Sequence, residues 1–369
     1  MIPVNEPLLN GNEKKYLQQC IDTGWISSEG PFIKKFEEDF SKVCDRKHGV
    51  AVCNGTAALE IAVEALALQP GDEVIMPAFT IISCAVAVLK AGAVPVLVDM
   101  CEDTWNMDVS QIEAKITKRT KAIMAVHIYG LPADMDVILQ LAQKHNLWVI
   151  EDAAEAHGLK YKERPCGSFG NISIFSFYPN KLITTGEGGM VLTNDDRLAE
   201  KCRSLRNLCF LPEKRFVHEE LGWNMRMTNM QAALGLAQLE KWEEHIARKK
   251  NMGRLYTQLL SDAKDISVPV SHTAYAENMY WVFGIMLRNG LTADTVMKRL
   301  AGRKIGTRPF FYPMHRQPVL QKKGLFAGEA YPVSEKLYKY GFYLPSGLTL
   351  TEEQITQVAE ALKEIVTGG

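Results

Sequence analysis

From about residue 50 to 195 the chain alternates short Val/Ile-rich runs with longer segments of helical period. The apolar runs are Val50–Cys53, Glu73–Met76, Val94–Asp99, Ala122–His127, Leu147–Ile150, Ile172–Phe177 and Gly189–Thr193. Between several of them, Ala57–Leu68, Ile82–Ala91 and Met135–His145 read as helices. Continuous apolar strands interleaved with helices predict an α/β fold whose sheet is largely parallel and covered on both faces. Beyond Thr228 the pattern changes. The stretch TNMQAALGLAQLEKWEEHIARKKNMGRLYTQLL places Ala and Leu on one buried face and then turns heavily charged, as a long amphipathic helix linking two domains would. Residues 261–369 read as a smaller α/β unit, with a strand near Tyr280–Met286 and helices near Ala293–Leu300 and Glu352–Val366. A Pro- and aromatic-rich loop runs from Arg308 to Pro318. The expected division is a large domain over 1–245 and a small C-terminal one over 246–369.

Composition narrows the function. A chain of 369 residues with 47% hydrophobic and 23% charged positions is ordinary globular protein. Its formal net charge of -1 argues against general electrostatic affinity for nucleic acid or acidic membranes, so an anionic ligand has to be held by local groups. Eight cysteines (Cys20, Cys44, Cys53, Cys84, Cys101, Cys166, Cys202 and Cys209) show no CxxC pair or metal-type spacing, and no histidine spacing suggests a metal. Reduced thiols in a cytoplasmic protein are the simplest account. The opening MIPVNEPLLNGNEKKY has no apolar signal-peptide core, and the apolar stretch Ala85–Val98 is broken by Lys90, Gly92 and Pro95. A cytoplasmic location is expected.

Chemistry concentrates where strands end, the side on which open α/β sheets bind ligands. In CNGTAAL (Cys53–Leu59) a strand ends, Asn54-Gly55 turns the chain, and Thr56 opens a helix. N–H groups at a helix start beside a hydroxyl suit a phosphate, although an ordinary turn and N-cap would read the same. In LWVIEDAAEAHG (Leu147–Gly158) four apolar residues run into Glu151-Asp152, where a carboxylate needs a cationic or hydrogen-bonding partner unless it is simply an N-cap. In SFYPNKLITTGEGG (Ser176–Gly189) a strand exits past Ser176 to one lysine, Lys181, followed by hydroxyls and flexible backbone. GEGG has neither the Walker A nor the G-x-G-x-x-G spacing. A phosphate cradle, a buried carboxylate and a lysine on neighbouring strand ends form the set that pyridoxal 5'-phosphate (PLP) requires. In that set Asp152 keeps the pyridine nitrogen protonated, and Lys181, once displaced by an amine substrate, moves the proton.

At these residues the chain also resembles a known family. GWISSEGPFIKKFE (Gly24–Glu37), CNGTAAL, GDEVIMPAFT (Gly71–Thr80), VHIYG (Val126–Gly130), EDAAEAHG, SFYPNKLITTGEGGM and GWNMRMTNMQAALG (Gly222–Gly235) together resemble the DegT class of nucleotide-sugar aminotransferases, fold-type I PLP enzymes, over essentially the whole length. The resemblance implies a large domain with a mixed, mostly parallel sheet between helices, a smaller C-terminal domain, and a homodimer with shared active sites. It makes Lys181 the Schiff-base lysine, Asp152 the partner of the ring nitrogen, and Glu155 a neighbour of the ring's 3-hydroxyl, where many relatives have Gln. Ser176 and the Gly55–Ala57 segment would hold the phosphate, and Asn224 would reach it from the other subunit. One position departs from the pattern. Ile81 stands where relatives often have an aromatic to stack on the ring, so either it packs there or Phe79 helps.

A lysine at 181 implies reversible transamination, whereas dehydratases of the family have histidine at this position. L-glutamate would be the donor, and a nucleotide keto-sugar the acceptor. Within the class the resemblance, carried most strongly by RPFFYPMH (Arg308–His315), implies GDP-4-keto-6-deoxymannose as that acceptor, with a UDP- or dTDP-linked keto-sugar or a cyclitol ketone as the alternative. Arg215, Arg308 and His315 are the candidates for holding the diphosphate or sugar, against surface charges or structural pairs. A non-catalytic sugar-nucleotide sensor is a third reading, and the intact Lys181, Asp152 and Ser176 set speaks against it. His127, ending an apolar strand, reads as structural.

Overall fold

The seven apolar runs become neighbouring strands of one sheet. The computed structural model describes residues 1–368 except Pro212 and Arg215. In chain order its first strands are β1 (His48–Val52), β2 (Glu73–Pro77), β3 (Val94–Val98), β4 (Thr120–Val126), β5 (Trp148–Asp152), a short hairpin of β6 (Lys160–Tyr161) and β7 (Arg164–Pro165), then β8 (Ile172–Ser176) and β9 (Gly189–Thr193). The central sheet has the order β1-β9-β8-β5-β4-β2-β3. All neighbours in it are parallel except β9, which runs against both β1 and β8. The reason lies in the link between β8 and β9. It contains no helix to carry a parallel crossover, and it closes as a wide hairpin in which the Phe177 N–H donates to the Gly188 carbonyl at 2.8 Å.

Both faces of the sheet are buried, and alternate residues serve opposite cores. Val74, Met76, Met124 and Val126 join one core, while Ile75, Ile123 and Ala125 join the other. The large unit has helices α1 (Glu13–Thr23), α2 (Pro31–Val43), α3 (Gly55–Ala65), α4 (Ser83–Lys90), α5 (Met135–His145), α6 (Asp196–Arg206) and α7 (Asn229–Leu239). Residues of α3, α4 and α6 fill the first core, and those of α1, α2, α5 and α7 the second.

The long helix expected from Thr228 is two helices. After α7 comes α8 (Trp242–Leu259), and the break falls at Glu240-Lys241. There the Glu240 carboxylate accepts hydrogen bonds from Asn12 at 2.7 Å and Tyr16 at 2.5 Å, which tie the end of α7 to the N-terminal segment. The division expected at 245/246 lies inside α8, so no loop marks it.

The C-terminal unit has an antiparallel sheet of β10 (Ile266–Ser267), β11 (Phe283–Leu287), β12 (Arg308–Pro309) and β13 (Gly341–Leu344) in the order β10-β11-β13-β12. Helices α9 (Ala293–Gly302), α10 (Pro318–Gln321), α11 (Pro332–Tyr340) and α12 (Glu352–Thr367) accompany it. The start of the chain belongs to this core as well. Ile2 is buried among its residues and exchanges backbone hydrogen bonds of 2.9 Å with Lys304 and Gly306. Among the described residues no helix is long and apolar enough to cross a membrane.

Candidate active site

The carboxyl ends of β1, β5 and β8 open onto one cavity of about 960 Å³. Gly55, Thr56, Ala57 and Ser176 line one part of it, and Asp152, Glu155 and Lys181 another. Ile81 and Arg308 line it too, the latter from the C-terminal unit.

The helix start at α3 has the geometry that suits an anion. Asn54 caps it, its side chain accepting from the Ala57 N–H at 2.8 Å. The N–H groups of Gly55 and Thr56 precede the intrahelical ladder. The Thr56 hydroxyl stands 2.9 Å from that of Ser83, and Ser176 closes the other side. Gly55 is needed for this approach, because a Cβ there would lie 2.8 Å from Ser176 Cβ.

The pair at the end of β5 splits by strand alternation. Glu151 follows Val149 into the α2 side of the sheet and is fully buried. Its carboxylate accepts from the N–H groups of Gly167, Phe169 and Gly170, and lies 3.0 Å from His127 Nε2. His127 Nδ1 accepts from the Ala133 N–H at 3.2 Å, so its proton sits on Nε2 and points at Glu151. His127 is therefore structural. Cys166 lies beside this pair, but the His127 and Glu151 donor atoms are committed to hydrogen bonds, which leaves no metal-ligand set.

Asp152 takes the opposite face and reaches the cavity. Its Oδ1 accepts from the Ala154 N–H at 3.1 Å, and its Oδ2 from the Cys84 thiol at 3.2 Å. Burial pushes its carboxyl above the ordinary carboxylate range, opposed by these hydrogen bonds and by Lys181.

Lys181 hangs from the loop after β8. Its Nζ lies 3.9 Å from Glu155 Oε1 and 4.0 Å from the centre of the Trp281 ring. Glu155 is held at its other oxygen by the Tyr129 N–H at 2.9 Å. Burial pushes Lys181 below the usual lysine range and Glu155 above the usual carboxylate range, and their mutual attraction opposes both shifts.

Other expected positions resolve differently. Ile81, 44% exposed, is the residue that meets the cavity, while Phe79 is fully buried against Tyr129, Phe310 and Phe311. His315, expected at the sugar or diphosphate, is not there. It is buried, with Nε2 2.8 Å from Glu335 Oε1 and its ring against Tyr331. The 3-10 turn Met314–Arg316 after Pro313 tucks it inward. Asn224 is exposed, outside this chain's cavity, and its Oδ1 accepts from Arg226 Nε at 3.0 Å. Arg215 lies outside the described residues. Sequence reasoning missed an aromatic wall of Tyr129, Trp281, Phe311 and Tyr343. Their spacing reads as core, and folding alone brings them together.

The chain matches the DegT/DnrJ/EryC1/StrS aminotransferase family over residues 7–363. It belongs to that family. The aminotransferase is 45% identical to the GDP-perosamine synthase of Caulobacter vibrioides over 368 residues, 99% of this chain and 98% of that one. It is 43% identical to the GDP-perosamine synthase of Escherichia coli O157:H7 over 366 residues, 98% of each chain. Among solved structures, Spr1654 of Streptococcus pneumoniae in its PLP form superposes with a TM-score of 0.93 at 25% identity, covering 99% of this chain and 98% of that one.

The enzyme is a PLP-dependent sugar aminotransferase, and its cavity fits the cofactor. Its helix start and hydroxyls suit a phosphate, and the space that a Cβ at Gly55 would fill keeps that cradle open. Asp152 offers an anchored carboxylate, and Lys181 an amine.

Proposed function

We propose that this aminotransferase moves the amino group of L-glutamate to C4 of GDP-4-keto-6-deoxymannose, giving GDP-perosamine. The observation that carries this reading is the likeness, at 39 to 45% identity over nearly the full length, to three GDP-perosamine synthases.

The residues that meet at the strand ends then have distinct tasks. The α3 N-terminus with Thr56 and Ser176 binds the cofactor phosphate, and Asp152 holds the proton of the ring nitrogen. Bound PLP supplies an electron sink for the charge released at the amine-bearing carbon. Lys181 takes the proton from that carbon on Nζ and returns it two atoms further on, past the nitrogen, which its depressed proton affinity favours. Glu155 lies against Lys181 and limits that depression. The wall of Tyr129, Trp281, Phe311 and Tyr343 excludes water. Arg308 at the rim offers a guanidinium to the diphosphate of the acceptor.

We further propose a cytoplasmic homodimer with shared sites. Asn224 stands exposed outside its own cavity, which supports a role toward a second copy.

The test is an acceptor panel. Full-length enzyme is given glutamate with GDP-4-keto-6-deoxymannose and with UDP- and dTDP-linked keto-sugars. Turnover with the GDP sugar is expected, and turnover only with the others overturns the acceptor. Lys181→Ala is expected to abolish both turnover and the visible absorption of bound PLP.

A further inference from the structure

We infer that Trp281 shares in holding the Lys181 charge: beside the Glu155 carboxylate, its indole face stabilises the lysine ammonium inside the cavity while that amine carries the proton taken from substrate. The inference rests on the reading of Lys181 as the base, and adds a residue a hundred positions away in the chain.

The geometry is specific. Nζ lies 4.0 Å from the ring centre, a distance at which the negative face of an indole attracts a cation. Trp281 as a residue is only 6% exposed, so little water weakens that attraction. It is also fixed from several sides. Nε1–H donates to the carbonyl of Asn180 at 2.8 Å, so one indole grips residue 180 by its edge and covers residue 181 by its face. The Trp281 carbonyl accepts from the buried Lys249 Nζ at 2.8 Å. Its backbone N is pressed on Gly130 (φ 97°), where a Cβ would lie 2.5 Å away. Tyr129 stacks on the ring at 6.0 Å and 27°.

Among the described residues, Glu155 and Asp152 favour the Lys181 charge, and Lys181 in turn lowers the proton affinities of His157 and Lys249. Glu155 is 3.9 Å away and accepts from the Tyr129 N–H, and Asp152 is engaged by Ala154 and Cys84. Among the described residues no carboxylate makes a hydrogen bond to Nζ: Glu155 stands at ion-pair distance, 3.9 Å, and the indole face adds a second close contact. During proton abstraction the substrate C–H bond would break and an N–H bond would form on Nζ, with the electron pair going to the sink that PLP supplies when bound. The ammonium so formed needs a partner that does not trap the proton. A π face holds charge without accepting a hydrogen in a strong bond, so the proton stays transferable.

The test compares Trp281→Leu with Trp281→Phe in the full-length enzyme loaded with aminated cofactor, which leaves the lysine amine free. Both variants lose the Nε1 hydrogen bond to Asn180, and only Phe keeps a ring face. The Lys181 pKa is read by NMR of lysine ε-carbons, the signal being assigned by its loss in Lys181→Ala. The Leu variant is expected to lower that pKa by about one unit, and the Phe variant by less than half as much. The acid limb of the kcat profile should move to lower pH by the same amounts. Equal Lys181 pKa values in the Leu and Phe variants overturn the inference, as does a wild-type value in Leu. Trp281→Met replaces the Leu variant should that one fail to fold. Failure of the underlying reading looks different: Lys181→Ala would keep glutamate-dependent turnover whatever Trp281 does.

Discussion

Cys84 donates its thiol hydrogen to Asp152, Sγ to Oδ2 at 3.2 Å, from the first turn of α4 to the end of β5. Burial raises the thiol well above its ordinary proton affinity, and the Asp152 charge raises it further, so Cys84 stays a donor at neutral pH. Together with the Ala154 N–H it leaves each Asp152 oxygen with one fixed donor. The carboxylate is thereby aimed before any ligand arrives.

Removing that donor should therefore loosen the cofactor. Cys84→Ala leaves Oδ2 without its buried partner, which costs about 1–3 kcal/mol. PLP affinity, measured by equilibrium dialysis, is expected to fall about tenfold, and Cys84→Ser, which keeps a donor, should restore most of it. Equal affinity in the Ala variant and the wild type would show that Asp152 does not depend on the thiol.

How far the sequence carried depends on whether a feature is local. Gly189–Thr193 and Met135–His145 were legible to the residue, because Gly, Asn and apolar phase mark their ends. Gly55, Thr56, Asp152, Ser176 and Lys181 converge because each sits at a strand exit, which a one-dimensional pattern does reveal. Trp281 and Tyr343 join them only through the docking of the second sheet, and nothing near them in the chain announces it. The Glu240 break was hidden for the same reason: its partners are Asn12 and Tyr16, far away in sequence.

Arg308 and His315 lie in one short motif, yet they have opposite fates. Arg308 is exposed at the cavity rim, paired across β12 and β13 with Tyr343, whereas His315 is buried with Glu335. Arg308→Ala should raise the KM for the sugar nucleotide about tenfold or more, leave the KM for glutamate nearly unchanged, and leave thermal stability within about 0.5 kcal/mol. His315→Ala should do the reverse, costing about 1–3 kcal/mol of stability with little change in the sugar KM. Steady-state kinetics and urea denaturation of both variants separate the roles, and a sugar-specific KM effect in His315→Ala would return that residue to the site.

A third histidine sets a limit on acid stability. His157 is buried among Phe40, Phe175, Phe177 and Trp242, and neither ring nitrogen has a hydrogen-bond partner among the described residues. Burial, with a smaller contribution from the Lys181 charge, lowers its pKa from 6.5 to about 3. The sign follows from proton counting. Between those values the unfolded chain binds a proton at this residue and the folded chain does not, so stability falls as pH falls. The contribution is complete above 6.5 and declines by about 1.4 kcal/mol per pH unit until about pH 3. Replacing the imidazole with a ring that cannot protonate removes this loss. His157→Phe should change stability by about 1 kcal/mol or less near neutral pH, since it conserves an aromatic in an aromatic cage. At about pH 5 it should gain about 2 kcal/mol relative to that neutral-pH difference. Urea denaturation of both proteins at the two pH values measures the double difference, in which Glu155, Asp152 and Lys181 largely cancel. A double difference near zero would mean that His157 is already protonated in the folded protein, and the cage would then have to hold a charge rather than exclude one.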